Sequence, residues 1–591
     1  MATKTESIEG EVQSSGVSAL DAMRHSLAHI MAEAVQKLFP EAKLGIGPWI
    51  ENGFYYDFDL PRPLTPDDLV KIEALMGQRI AAASPFERLP ISHEAAVELF
   101  AEQPYKLELI EGFRGQELSV YHDGDFTDLC RGPHVADTGK VGPYKLTSVA
   151  GAYWRGDEKR PMLQRIYGVA FPTKQELEQY LERVEQAKLR DHRKLGKELK
   201  LFTFSDQIGL GIPLFLPKGE MLRHLMEGYV RETQTRHGYE HVWTAHLVKK
   251  ELFVRSGHWE HYQDVMFPVM VDEDQEFILK PMNCPSHMTL FNTQMHSYRD
   301  LPVRYAEFAT LYRYEKSGQL NGLTRVRSLT QDDCHIFCTP EQVEEEFERA
   351  LDLIREVLDT YGFDDYRVQL SLPDLSDTAK YVDDREKWEL AEAALRRSLD
   401  AKGVQYTPMT GEAAFYGPKA DFMARDVLGR EWQLSTLQVD LIQPARLGVE
   451  YIGEDGKPHT PVVLHRAVTG STERFLGVII EHFAGNFPLW LAPVQAVVLS
   501  IADRHIPYAT EVAEKMKAAG LRARADSRNE RLQYKIREAQ AEKVPYMLVV
   551  GDNEAAAGTV SVRQHSGEKR DAVPLDELIA ELVDLTARKV R

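Results

Sequence analysis

The sequence predicts an α+β multidomain protein, and three observations carry that prediction. Its 591 residues exceed what one hydrophobic core sustains, so roughly three or four domains are expected. Tyr312 to Phe337, YRYEKSGQLNGLTRVRSLTQDDCHIF, reads as two extended segments joined by a loop containing Gly318 and Gly322. That is an antiparallel hairpin with arginines and carboxylates where a core strand would be apolar. From Leu491 the texture changes to strand–helix alternation: QAVVLSI, a helix near Ala509 to Ala519, LRARAD, a basic helix, then YMLVVG. A small α/β domain with a mostly parallel sheet follows.

Taken in order, residues 1–20 are polar and partly acidic, lack the apolar core of a secretion signal, and read as a disordered tail. LDAMRHSLAHIMAEAVQKLF is apolar at helical spacing and places His25 and His29 on one helix face. FTDLCRGPHV supplies Cys130 and His134, again four apart. Two such pairs in one domain either bind zinc or shape a polar pocket in which imidazoles handle protons. Lys174 to Leu201 is charged and Leu-spaced, as in a solvated helix bridging domains. GEMLRHLMEGYVRETQTRHGYEHVWTAHL then reads as an amphipathic helix, a Gly-Tyr stop and a strand. LKPMNCPSHMTLF carries Cys284 and His287 in a Pro-bracketed turn before a helix, and a long acidic helix spans roughly Pro340 to Tyr361. After AAFYGPKADF and the alternating REWQLSTLQVDL, a strand with His465 feeds a Gly470-Ser471 turn and a helix bearing Arg474.

Composition bounds the function. With 43% apolar and 27% charged residues the chain is globular, and its net charge of -20 argues against a general nucleic-acid coat protein without excluding a local basic groove. Four cysteines give no disulfide framework, which points to a reducing compartment and, with no apolar run of roughly 18 residues, to the cytoplasm and no membrane. The hairpin arginines need a charged partner, and guanidinium forks suit phosphate and carboxylate oxygens. The hairpin is therefore a candidate nucleotide site.

Arg313-Tyr314-Glu315, the Arg-rich hairpin and GSTERFLGVIIEH resemble motifs 2 and 3 of class II aminoacyl-tRNA synthetases. PMNCPSH, QDDCHIF, FYGPK and LHRAVTGSTER resemble the threonyl-tRNA synthetase family within that class, over about residues 21–591. The resemblance implies an N-terminal α+β editing domain at 21–173, a linker helix at 174–201, a class II catalytic domain with an antiparallel sheet and flanking helices at 202–490, and a C-terminal anticodon-binding domain at 491–591. It implies that L-threonine is activated with ATP and passed to the 3' end of tRNA(Thr), that mischarged seryl-tRNA(Thr) is hydrolysed, and that the chain is a homodimer. Zn²⁺ would be held by Cys284, His335 and His465, with Gln331, Asp333, Tyr416 and Gln438 receiving threonine. Arg313, Glu315, Arg325 and Arg474 would bind ATP with Mg²⁺, without a P-loop, and His258 would assist proton transfer.

The substrate explains that design. Valine replaces the threonine hydroxyl by a methyl, and a site built to satisfy the hydroxyl can reject it on the order of 10⁴-fold. Serine lacks only a methyl, worth roughly 10–200-fold, so a second sieve is needed. The resemblance places it at His25, His29, Lys106, Asp128, Cys130 and His134, as a metal-free pocket, and assigns anticodon reading to Asn529, Arg537, Glu554 and Arg563. Ala245, Ser286, Asn321, Leu329 and Gln443 depart from the common family pattern.

Overall fold

The structure, a computed structural model, describes residues 17–591 apart from Ala379 and Asp383. Residues 1–16 of the expected tail lie outside the described residues, and a helix already begins at Ala19. The chain forms two compact units, one ending at Glu185 and one beginning at Gln186.

In the first unit, α1 (Ala19–Leu38) starts at Ser18, whose hydroxyl accepts from Asp21 N–H, a side-chain N-cap. It packs with α2 (Pro66–Ala82) over a sheet in which β1 (Gly53–Asp59), β6 (Met162–Ala170) and β5 (Tyr144–Tyr153) lie side by side, antiparallel. A second sheet runs β2 (Phe86–Ile91), β3 (Leu118–Asp123), β4 (Phe126–Leu129), and α3 (Pro104–Gly112) precedes β3.

The expected single bridging helix is two helices. The first, α4, is Lys174–Arg190; Asp191 then leaves helical geometry and its carboxylate accepts from Arg193 N–H, capping a new helix, α5 (His192–Glu198).

The second unit is built on an eight-stranded sheet. Its order is β7 (Glu240–His241), β8 (Val303–Tyr312), β9 (Ser328–Cys338), β14 (Val462–Ala467), β13 (Glu431–Asp440), β12 (Lys419–Arg425), β10 (Tyr366–Leu372) and β11 (Tyr406–Thr410). Only the two outermost pairings are parallel. Helices α6 (Pro217–Arg236), α8 (Val343–Tyr361) and α9 (Thr472–His482) close the main core with this sheet, and α7 (Cys284–Phe291) belongs to a smaller cluster with Tyr305, Phe337 and Val463. The C-terminal part has the strand order β16 (Ala523–Asp526), β15 (Ala496–Ser500), β17 (Tyr546–Val550), β18 (Thr559–Gln564), β19 (Lys569–Pro574). Its first three strands are parallel and the last two pairings antiparallel, so the sheet is mixed rather than mostly parallel. Helices α10 (Ile506–Ala518), α11 (Leu532–Ala541) and α12 (Leu575–Ala587) cover it. Among the described residues no helix is long and apolar enough to cross a membrane.

Candidate functional site

Strand alternation sorts β9. Asp332, Cys334 and Ile336 face one way, with Cys334 and Ile336 in the core beside Phe347 and Leu351 of α8. Gln331, Asp333 and His335 face the other. In the ladder His335 stands opposite His465 of β14, and Gln438 of β13 stands opposite His465 on its far side. Cys284, the first residue of α7, completes the group, and the three ligand atoms lie within 4.8 Å of one another.

The imidazoles are held from behind. His335 Nε2 and His465 Nδ1 face each other at 3.0 Å. The second nitrogen of His335 meets His287 Nδ1 at 2.8 Å, and His287 Nε2 meets Glu307 Oε2 at 3.0 Å. His465 Nε2 meets Asp440 Oδ2 at 2.8 Å. Outer carboxylates that orient convergent His and Cys donors are the pattern of a metal centre, so Cys284, His335 and His465 could hold a metal ion with coordination positions left open. Burial pushes the Cys284 thiol well above its ordinary range, aided by Asp333 and Asp440, and pushes His335 well below its own, aided by His465 and His287. A cation there favours the thiolate and the neutral rings.

Beside the trio a cavity of roughly 210 Å³ is lined by Tyr262, Cys284, Arg313, Gln331, Asp333, Tyr416, Gln438 and His465, among others. Burial, with Glu307 opposite and Asp332 adjacent, pushes Asp333 up to about 8. Tyr416 donates its hydroxyl to Gln438 Oε1 at 2.6 Å and stacks on His465. The turn after it requires Gly417, where a Cβ would lie 1.7 Å from the Val439 carbonyl oxygen.

The hairpin forms as expected, but its arginines do not sit on the paired strands. The ladder ends at Tyr312 opposite Ser328, and Arg313 to Arg327 form the connection. Arg313 Nε donates to Pro281 O at 3.3 Å, Arg325 pairs with Glu315 at 2.8 Å, and Arg474 Nε of α9 donates to Thr324 O at 3.2 Å. Arg474 is lowered by desolvation and then by the like charges of Arg313 and Arg325. Three guanidiniums crowd one place, as an anion site requires. His258 lies behind Tyr416 and outside the cavity lining; its Nδ1 meets Ser256 Oγ at 2.8 Å, and burial takes it down to about 3.

In the first unit the two sequence pairs converge, His25 and His29 from α1 and Cys130 and His134 from the loop after β4. Cys130 Sγ is 3.4 Å from His25 Nε2 and 3.3 Å from His134 Nε2. His25 Nδ1 donates to Pro133 O at 3.2 Å, and Ser26, whose hydroxyl already donates to Ala22 O, accepts from His134 Nδ1 at 3.0 Å. Both rings therefore turn unprotonated Nε2 atoms toward the sulfur. Burial lowers His25 to about 4 and His29 to about 3, and raises Cys130 to about 12. Next to them Lys106 Nζ is 2.6 Å from Asp128 Oδ1. Burial opposes the Asp128 carboxylate, yet Lys106 and then His29 hold it below its ordinary range.

Sequence reasoning missed the residues behind these groups. Tyr56 donates to Asp128 Oδ2 at 2.5 Å and accepts from Lys106 Nζ at 2.9 Å. His287, Glu307 and Asp440 orient the trio; His287, three residues after Cys284 on one helix, carried the only local signal. In the C-terminal part, Asn529 in the loop after β16 and Arg537 on α11 are exposed, and Arg563 is half-buried on β18. Glu554 instead accepts from Gly551 N–H at 2.9 Å and Ser561 Oγ at 2.8 Å. Of the departures, Gln443 is buried with both amide atoms unpartnered in the protein, and nothing in the structure explains its choice.

Residues 267–483 match the tRNA synthetase class II core domain (G, H, P, S and T), 495–585 the anticodon binding domain, and 118–167 the threonyl and alanyl tRNA synthetase second additional domain. The threonine–tRNA ligase of Rubrobacter xylanophilus is 62% identical over 549 residues, covering 93% of this chain and 86% of that one. That of Thermus thermophilus is 52% identical over 570 residues, with the same coverage. A solved structure of the RNA binding domain of threonyl-tRNA synthetase from Cryptosporidium parvum superposes with a TM-score of 0.64 at 38% identity, covering 67% of this chain and 98% of that one. Identity at this level, across the class II core, the second additional domain and the anticodon-binding domain together, places the chain in the threonine–tRNA ligase family of class II aminoacyl-tRNA synthetases.

Proposed function

We propose that this chain activates L-threonine with ATP, transfers it to the 3' end of tRNA(Thr), and hydrolyses mischarged seryl-tRNA(Thr). Residues 202–490 would carry activation and transfer, 21–173 editing, and 491–591 anticodon recognition. The observation that carries the reading is one cavity whose lining takes in Cys284 and His465 of the trio, Gln331 and Asp333 of β9, and Arg313. Selection of the side chain and activation of the carboxylate then share a wall.

We infer zinc at the trio, because one thiolate and two imidazoles match its preferred donors. Held by Cys284, His335 and His465, zinc would supply Lewis acidity toward the amino group and hydroxyl of threonine. Asp333 and Gln331 accept from the amino group and hydroxyl, while the Tyr416–Gln438 pair closes the pocket. Arg313 bridges the carboxylate and α-phosphate and stabilises the charge that develops between them. Arg325 and Arg474 hold the outer phosphates and the adenine plane, accompanied by Mg²⁺, and Glu315 leaves Arg325 to accept from the adenine amino group. His258 assists proton transfer to the ribose hydroxyl.

In the editing pocket neutral His25, His29 and His134, with Lys106 and Asp128, orient water at the ester without a metal. Asn529, Arg537, Glu554 and Arg563 read anticodon bases. A homodimer is supported by exposed apolar Trp243, Leu247 and Val271, and a cytoplasmic location by free cysteines Cys130, Cys284, Cys334 and Cys338.

The test is ATP–pyrophosphate exchange with threonine, serine and valine. Threonine should drive exchange, serine weakly, and valine hardly at all. Arg313→Ala should lower kcat by about 10²–10³-fold, the usual loss when a donor to developing charge is removed. A chain with no threonine-dependent exchange overturns the reading.

A further inference from the structure

The third cluster of potential ligands among the described residues, Asp191, His192 and Glu481, brings its donor atoms within 4.8 Å of one another. Its hydrogen bonds argue against a metal. Leu323 N–H donates to His192 Nε2 at 3.0 Å, so that nitrogen is the acceptor and Nδ1 carries the proton. The Nδ1–H donates to Glu481 Oε1 at 2.6 Å, and the His192 backbone N–H reaches the same oxygen at 3.0 Å. Glu481 Oε2 lies 2.6 Å from Arg430. No lone pair on the ring is left for an ion.

The imidazole instead joins two elements that the ATP site depends on. Glu481 belongs to α9, the helix that carries Arg474. Leu323 belongs to the connection that carries Arg313 and Arg325. The ring fits between two glycines: a Cβ on Gly322, at φ +49°, would fall 2.2 Å from His192 Nε2, and one on Gly477 of α9 would meet Leu323, Thr324 and His192 at 3.4–3.6 Å. The connection is thus pinned twice in adjacent residues, at Leu323 N–H by His192 and at Thr324 O by Arg474. When Arg474 turns to phosphate it releases Thr324, while the bond from Leu323 N–H to the imidazole is retained.

We propose that His192 is a positioning residue for ATP, holding the Arg313–Arg327 connection in register with α9 while Arg474 engages the nucleotide. This rests on the assignment of Arg325 and Arg474 to ATP made above. Sequence analysis passed over His192 because it sits in a charged segment that reads as a solvated linker.

The test is ATP–pyrophosphate exchange on the full chain with His192→Phe, which fills the space and removes both bonds, and His192→Asn, which retains a donor to Glu481 but loses the arm to Leu323. Both variants should raise KM for ATP by about tenfold, as expected for one lost buried hydrogen bond, with KM for threonine and bound metal unchanged. His192→Asn should keep a thermal midpoint close to that of the parent, and it decides the question if His192→Phe fails to fold. Unchanged KM for ATP in His192→Asn, or equal rises in both KM values, overturns the proposal and makes His192 a purely structural residue. An unmodified chain without threonine-dependent exchange overturns the functional reading and this inference together.

Discussion

Replacing His335 or Cys284 with alanine should abolish threonine activation, lowering kcat/KM in pyrophosphate exchange by a factor on the order of 10³ to 10⁴. The size of the effect follows from what the trio does. A site that satisfies the threonine hydroxyl gains its selectivity because an analogue without the hydroxyl leaves a buried polar group unpaired, and the enzyme without that group loses the same increment. Metal content measured on the purified variants should fall with activity, and chelation of the parent should reproduce the loss. His287→Ala should be milder, about 10–100-fold, because it removes the group that orients His335 and leaves the three proposed ligands in place. A His335→Ala protein that still activates threonine at the parental rate would remove the metal from the mechanism.

The second large effect belongs to the first unit. His29→Ala or Cys130→Ala should let seryl-tRNA(Thr) accumulate in reactions containing serine, while threonine-dependent exchange, which uses neither residue, persists. One missing methyl is worth only roughly 10–200-fold at the activation site, so misactivation must reach the tRNA unless it is cleared afterwards. Parental clearance of seryl-tRNA(Thr) by both variants would mean that the quartet is structural.

The same quartet predicts acid sensitivity. Burial holds His25 near 4 and His29 near 3 in the folded chain, against about 6.5 unfolded. Between those values the unfolded state binds protons that the folded state does not, so stability rises with pH and is lost as pH falls below about 6.5. Denaturant melts at pH 5 and pH 7 should show the first unit less stable at pH 5, and His25→Gln should reduce the difference. Equal stability at both values would contradict the burial of these rings as neutral groups.

Much of this is legible in the sequence. Helical periodicity gave α1 and its two histidines, and turn chemistry gave the hairpin and the Gly470-Ser471 entry to α9. Residues scattered along the chain were a different matter. Cys284, His335 and His465 are brought together by ladder register, in which His335 faces His465 across two strands more than a hundred residues apart, and no local pattern encodes that pairing. Glu307 is invisible for the same reason, since it joins the site through His287 and as the cross-strand partner of Asp333, and both relations are made by the fold. Tyr56 reads in sequence as one aromatic of an ordinary strand, and its hydroxyl acquires meaning only from the buried ion pair it meets. The linker was misread as one helix because charge and leucine spacing continue through Asp191, whereas the cap that breaks it depends on a single carboxylate.

The alternation along β9 also sets how this enzyme can vary. Its substrate-facing and core-facing residues interleave one by one, so inserting or deleting a single residue within Ser328–Cys338 would rotate Asp332 and Cys334 into the pocket and drive Asp333 and His335 into the hydrophobic layer. The strand can drift only by substitution. The connection from Arg313 to Arg327 has no partner strand to keep step with, and length changes among homologues should therefore collect there, on the side proposed for the nucleotide, while the strand proposed to recognise the amino acid keeps a fixed length.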